Sequence, residues 1–148
     1  MSNFNENTRV QVPAALHLCK LGYEYLDEKD IMAYDHKTNI LTDVFLRSIR
    51  HINPDATGEE VSMLYSKIIN ISDNADLGRE FYALLSANSG VKLVDFENPD
   101  NNEWHVTTEF TCHNDETDDE FRPDITCFVN GMPLAFIEVK KPNNHEGI

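Results

Sequence analysis

The stretch FRPDITCFVNGMPLAFIEVKKP, residues 121–142, sets two apolar runs either side of Asn130-Gly131. Asn-Gly between such runs is the strongest short-range hairpin signal, so residues 124–129 and 133–140 read as paired antiparallel strands. Three charged residues mark the open end of that hairpin: Asp124 heads the first strand, and Glu138 and Lys140 close the second. Charges among Ile125, Phe128, Leu134, Phe136 and Ile137 are costly unless they stay solvated or converge on a partner.

Register decides between faces. With Asn130 and Gly131 alone in the loop, Asp124 opposes Ile137 and a carboxylate joins the apolar side. With a three-residue loop carrying Gly131 as a left-handed bulge residue, Ile125, Cys127, Val129, Ala135, Ile137 and Val139 share one apolar face. Asp124, Glu138 and Lys140 then meet on the other. The hydrophobic pattern favours this second register, and it is the one expected.

Two neighbouring carboxylates repel and need a cation between them. A hard ion such as Mg²⁺ takes oxygen ligands and keeps water for chemistry. A lysine two residues along the same face can orient an attacking water or steady a phosphate, which suits metal-assisted phosphodiester hydrolysis. Spacing alone leaves a second reading open: a solvated hairpin end with a Glu138–Lys140 salt bridge.

Working outward, residues 8–21 read as a helix stopped by Gly22, with Pro13 tolerable only in the first turn or at a kink. Residues 23–26 read as a short strand, and 41–51 as a helix ended by Pro54. Thr57-Gly58-Glu59-Glu60 has the form of a capping box and opens a helix carrying Val61, Leu64, Ile68 and Ile69. A further helix spans 75–87, with Phe81, Leu84 and Leu85 buried and Gly90 as terminator. Residues 91–96 and 103–112 read as two strands ahead of the hairpin. The acidic DETDDE run lacks the spacing of an EF-hand loop and reads as a solvated hairpin connection. Helices first and a largely antiparallel sheet second give α+β in chain order, within the broad α/β class.

A length of 148 residues fits one domain, taken as 1–148, and 41% hydrophobic with 26% charged residues is a globular composition. The start, MSNFNENTRV, lacks the pattern of a secretory signal, and no apolar run is long enough to span a bilayer. A cytoplasmic protein with no membrane partner is expected. Cys19, Cys112 and Cys127 form no C-x-x-C pair and read as free buried thiols, and the six histidines show no metal-ligand spacing. The net charge is −14, and residues 94–120 hold ten acidic residues and no Lys or Arg. Such a chain has no basic stripe with which to grip nucleic acid by itself.

Pro123-Asp124 followed by Glu138-Val139-Lys140 resembles the signature of the PD-(D/E)xK nucleases. The wider RPDITCFVNGMPLAFIEVKKP is similar to the catalytic hairpin of the R subunit of type I restriction enzymes. VDFENPDNNEWHVTTEFT resembles the strand–turn–strand before it, and NENTRVQVPAALHLCKLGY the first helix of that family. The resemblance implies a mixed central sheet flanked by helices with a restriction-endonuclease-like core. It implies Asp124 and Glu138 as metal ligands, the Val139 carbonyl as a third, Lys140 as catalytic lysine and Glu6 as an extra carboxylate. Arg9 would touch phosphate or pair with a carboxylate, and Arg122 and Lys141 read as rim charges.

It further implies Mg²⁺-dependent cleavage of double-stranded DNA, in a complex with methylation and specificity subunits. In that family an ATP-driven translocase lies in the same chain. No G-x-x-x-x-G-K-[ST] phosphate loop occurs in this sequence, so ATP would belong to motor domains outside it. The family's Gln-x-x-x-Tyr helix is also missing after Lys140, which reads as a C-terminal truncation of the domain. The family arrangement accounts for the charge, because DNA would be delivered rather than attracted. Two alternatives stand beside this reading: a PD-(D/E)xK nuclease of another defence or repair system, and a non-catalytic acidic module that binds proteins or mimics DNA.

Overall fold

A computed structural model describes residues 10–140 apart from 32, 73, 74, 77, 88, 115, 116 and 118. Helix α1 (Val12–Lys20) leads into strand β1 (Glu24–Tyr25), then α2 (Thr42–Ile52), α3 (Gly58–Ser72) and α4 (Arg79–Leu85). Strands β2 (Trp104–Thr108), β3 (Cys112–Asn114), β4 (Asp119–Phe121), β5 (Ile125–Val129) and β6 (Met132–Ile137) follow. The main sheet is mixed, in the order β1-β2-β5-β6. Strand β1 runs parallel to β2 and the other pairs are antiparallel, while β3 and β4 form a separate two-stranded ribbon.

Alternation along β5 sorts the core. Ile125 and Cys127 pack with Val106 and Val139 beneath Ala14 and Leu18 of α1, whereas Phe128 packs with Leu41, Val44 and Phe110 on the α2 side. Helices therefore flank the sheet on both faces. A larger cluster around Phe45, Ile49, Val61, Leu64, Ile68 and Met132 joins α2 and α3 to the hairpin tip.

Several local signals hold as read. Gly22, at φ +111°, ends α1: its N–H donates to the Cys19 carbonyl and that of Tyr23 to Leu18, the paired bonds of a Schellman stop. Thr57 and Glu60 form the reciprocal capping box, Thr57 N–H donating to Glu60 Oε2 at 2.7 Å and Glu60 N–H to Thr57 Oγ1 at 3.2 Å. Among the described helices none is long and apolar enough to cross a membrane.

Other expectations need correction. The segment 91–96 is not a strand, because β2 already has β1 on one side and β5 on the other. Its backbone is instead satisfied by side-chain amides: Asn53 bonds the N–H and carbonyl of Lys92, Asn130 the carbonyl of Leu93, and Asn102 both groups of Asp95. The strand expected over 103–112 breaks at Glu109, which sits at φ +55°, and the chain resumes as β3. Helix α4 is shorter than 75–87, since Gly78 at φ +79° and an Asp76 carboxylate bonded to the Gly78 and Glu80 N–H groups delay its start. It ends at a Ser86 cap, four residues short of Gly90. Cys19 is only half-buried, whereas Cys112 and Cys127 are buried. Burial pushes the Cys112 thiol up to about 11 and also raises Cys127.

Candidate active site at the open end of the hairpin

The β5–β6 hairpin carries the candidate residues, and its turn fixes where they fall. Asn130 (φ +50°) and Gly131 (φ +79°) form a two-residue turn in which Val129 opposes Met132. This corrects the three-residue loop, and by itself it would send Asp124 to the apolar face. The pairing then slips between Cys127 and Phe128: Phe128 opposes Pro133, but Cys127 opposes Ala135, leaving Leu134 as an extra residue on β6. Pro133 has no N–H for the ladder, so the pairing is weakest there and tolerates a bulge. The slip restores the expected register at the open end, where Ile125 opposes Ile137 and the next residues outward are Asp124 and Glu138.

Ile125, Cys127, Ile137 and Val139 share the α1-facing cluster, as the pattern required. Val129, on the turn side of the bulge, instead joins the cluster at the hairpin tip, and Ala135 is exposed. The Asp124 carboxylate lies with the second strand: its Oδ2 accepts the Val139 N–H at 2.8 Å. That bond places it against the peptide joining Glu138 to Val139. Glu138 and Lys140 are exposed and Asp124 is half-buried. No ion pair joins Glu138 to Lys140 among the described residues, and both side chains lie in solvent.

The main chain of Asp124 is fixed from two directions. Its carbonyl accepts the Glu109 N–H at 3.0 Å and Gln11 Nε2 at 2.7 Å. Gln11, 2% exposed, reaches it from the residue before α1. Glu109 is in turn gripped by Arg122, whose Nε donates to the Glu109 carbonyl and Nη2 to its carboxylate, both at 2.8 Å. Arg122 is thus an exposed charge engaged with Glu109.

Sequence reasoning passed over Gln11 and Glu109. The available signal at Gln11 was an inverted pattern, a polar residue between Val10 and Val12 on a helix whose Val12 proves exposed. Glu6, Arg9 and Lys141, singled out in the sequence, lie outside the described residues. Among the described residues no three His, Cys, Asp or Glu side chains come together as a metal-binding group; Asp124 and Glu138 contribute two carboxylates.

The chain is thus of mixed α+β content, with Asp124 and Glu138 both at the open end of one hairpin. Residues 3–148 match the family described as type I restriction enzyme R protein N terminus, and the chain belongs to that family. It is similar to a protein of Methanocaldococcus jannaschii provisionally named as the endonuclease subunit of the type I restriction enzyme MjaIXP. That relative is 31% identical over 98% of this chain and 16% of its own length. It is also similar to the HindI type I restriction enzyme endonuclease subunit of Haemophilus influenzae, 29% identical over 93% of this chain and 15% of the relative. The chain thus spans about a sixth of the length of these relatives.

Proposed function

We propose that this chain is the nuclease domain of a type I restriction enzyme R subunit, with a PD-(D/E)xK-type core that cleaves double-stranded DNA. The observation that carries the reading is the bond from Val139 N–H to the Asp124 carboxylate, just beyond the Ile125–Ile137 pair from which Asp124 and Glu138 are the next residues outward.

The donor chemistry suits Mg²⁺. Asp124 Oδ2 is held by the Val139 N–H, and Oδ1 has no partner among the described residues. With Glu138 and the Val139 carbonyl it makes an all-oxygen set, the preference of a hard divalent ion. When bound, Mg²⁺ would lower the pKa of a coordinated water and offset negative charge at the scissile phosphate. Asp124 and Glu138 would hold it from the two strands, while Glu109, Gln11 and Val139 keep Asp124 from turning away. Lys140 would orient the attacking water or steady the phosphate. Glu6 is proposed as a further carboxylate from the chain before α1.

An acidic domain of this kind works on DNA brought to it. The net charge of −14 therefore fits a tethered module better than a free nuclease, with translocase domains in the same polypeptide and the methylation and specificity subunits as partners. ATP would serve those motor domains only.

The test is plasmid cleavage by the full-length R subunit assembled with its partner subunits, comparing wild type with Asp124→Ala, Glu138→Ala and Lys140→Ala. Cleavage should fall by at least about 100-fold in each while ATP hydrolysis persists. An Asp124→Ala subunit that cuts at the wild-type rate would sink the proposal. The acidic-module reading predicts no metal-dependent cutting in any of the four proteins.

A further inference from the structure

We propose that Gln11 is a positioning residue for the Asp124 carboxylate, tying the start of α1 to the reactive end of the hairpin; the inference rests on the nuclease reading above.

Three observations lead to it. Gln11 is the only buried polar residue of the α1 region among the described residues, at 2% exposure. A buried primary amide left without a partner is strongly unfavourable, so its place in the fold depends on a bond. That bond runs to the carbonyl of Asp124 itself, 113 positions away, at 2.7 Å. Its neighbour Val12 is 44% exposed although it is apolar, so the helix starts with its polar residue inward and an apolar one outward. Packing alone would favour the reverse orientation.

The consequence is geometric. Asp124 precedes β5 and lies outside the regular ladder, where main-chain torsions are free to drift. Glu109 N–H and Gln11 Nε2 together occupy its carbonyl. With the carbonyl fixed from both β2's end and α1's start, the Cα–Cβ direction is fixed, and the carboxylate stays on Val139 N–H with Oδ1 turned outward. Without Gln11 only the Glu109 N–H would hold that carbonyl. A ligand carboxylate that must then be ordered on binding loses affinity in the way that removal of an outer hydrogen-bond partner does, by about tenfold. Gln11 would touch neither metal nor DNA.

The experiment titrates the chain with Mn²⁺, a paramagnetic stand-in for Mg²⁺, following free ion by electron paramagnetic resonance. Gln11→Met keeps the side-chain length and removes the donor; Gln11→Asn keeps the amide but shortens its reach. Thr57→Ala, which breaks the distant capping box, serves as the control for general destabilisation. About tenfold weaker Mn²⁺ binding in both Gln11 variants, with unchanged binding in Thr57→Ala, supports the inference. Wild-type affinity in either folded Gln11 variant, or equal weakening in Thr57→Ala, overturns it while leaving the nuclease reading intact. If wild type binds no Mn²⁺, or Asp124→Ala binds as well as wild type, the nuclease reading fails and this inference falls with it.

Discussion

The two ends of the β5–β6 hairpin are built on opposite terms. At the closed end Asn130 is fully buried, and both its side chain and its backbone are engaged. Its N–H donates to the Glu103 carbonyl, its Oδ1 accepts the Glu103 N–H, and its Nδ2 donates to the Leu93 carbonyl and to Asn102 Oδ1. Gly131 presses so closely on α2 that an added Cβ would stand 2.6 Å from the Leu41 carbonyl oxygen and 2.7 Å from the Phe45 nitrogen. At the open end Glu138 and Lys140 are exposed and make no ion pair with each other, and one Asp124 oxygen has no partner among the described residues. Stability is concentrated at the turn, and unsatisfied polar capacity is left at the site. A rigid turn of this kind lets the open end hold charged groups in register without their own contacts having to support the fold.

That contrast yields graded expectations. The largest loss should come from Gly131→Ala, which adds both a backbone clash and left-handed strain. About 3–5 kcal/mol should appear as a lower urea midpoint, and a shift under about 1 kcal/mol would mean that α2 is free to move away from the turn. Asn130→Ala should cost about 2–3 kcal/mol by the same measurement, because the Leu93 carbonyl and Glu103 N–H lose their partners.

Acid should weaken the closed end next. His105, opposite Phe128 on β2 and 3% exposed, has its pKa lowered first by burial, with Arg47 adding to the shift and Glu103 and Glu24 opposing it. The unfolded chain takes up the proton at the usual 6.5 and the folded chain only below it. This contribution to stability is therefore present above 6.5 and lost as pH falls towards the lower folded-state value. His105→Gln should flatten that part of the stability profile; an unchanged slope would assign it to other groups. Smallest of all should be Asp124→Asn, which keeps an acceptor for Val139 N–H and should shift stability by no more than about 0.5 kcal/mol.

Legibility followed range. Gly22 and the Thr57–Glu60 box were readable because each acts within a few residues. The open-end register was readable because a wrong one would have buried Asp124. The route to it was not, since two errors offset each other: the loop is one residue shorter than expected and the bulge at Leu134 adds that residue back. Leu93 and Val94 are buried, but an apolar run read as a strand cannot reveal that Asn53, Asn102 and Asn130 stand in for strand partners. The bond Gln11 makes was not readable from its inverted pattern, because its partner is 113 residues distant.

The most direct test of the account is thermal unfolding with and without Mg²⁺, for wild type and the Asp124→Asn/Glu138→Gln pair. A ligand bound only by the folded state raises its midpoint. Wild type should gain stability with added Mg²⁺, and the double variant should match it without metal yet gain nothing. An equal gain in both proteins, or none in wild type, would contradict the claim that these two carboxylates hold the ion.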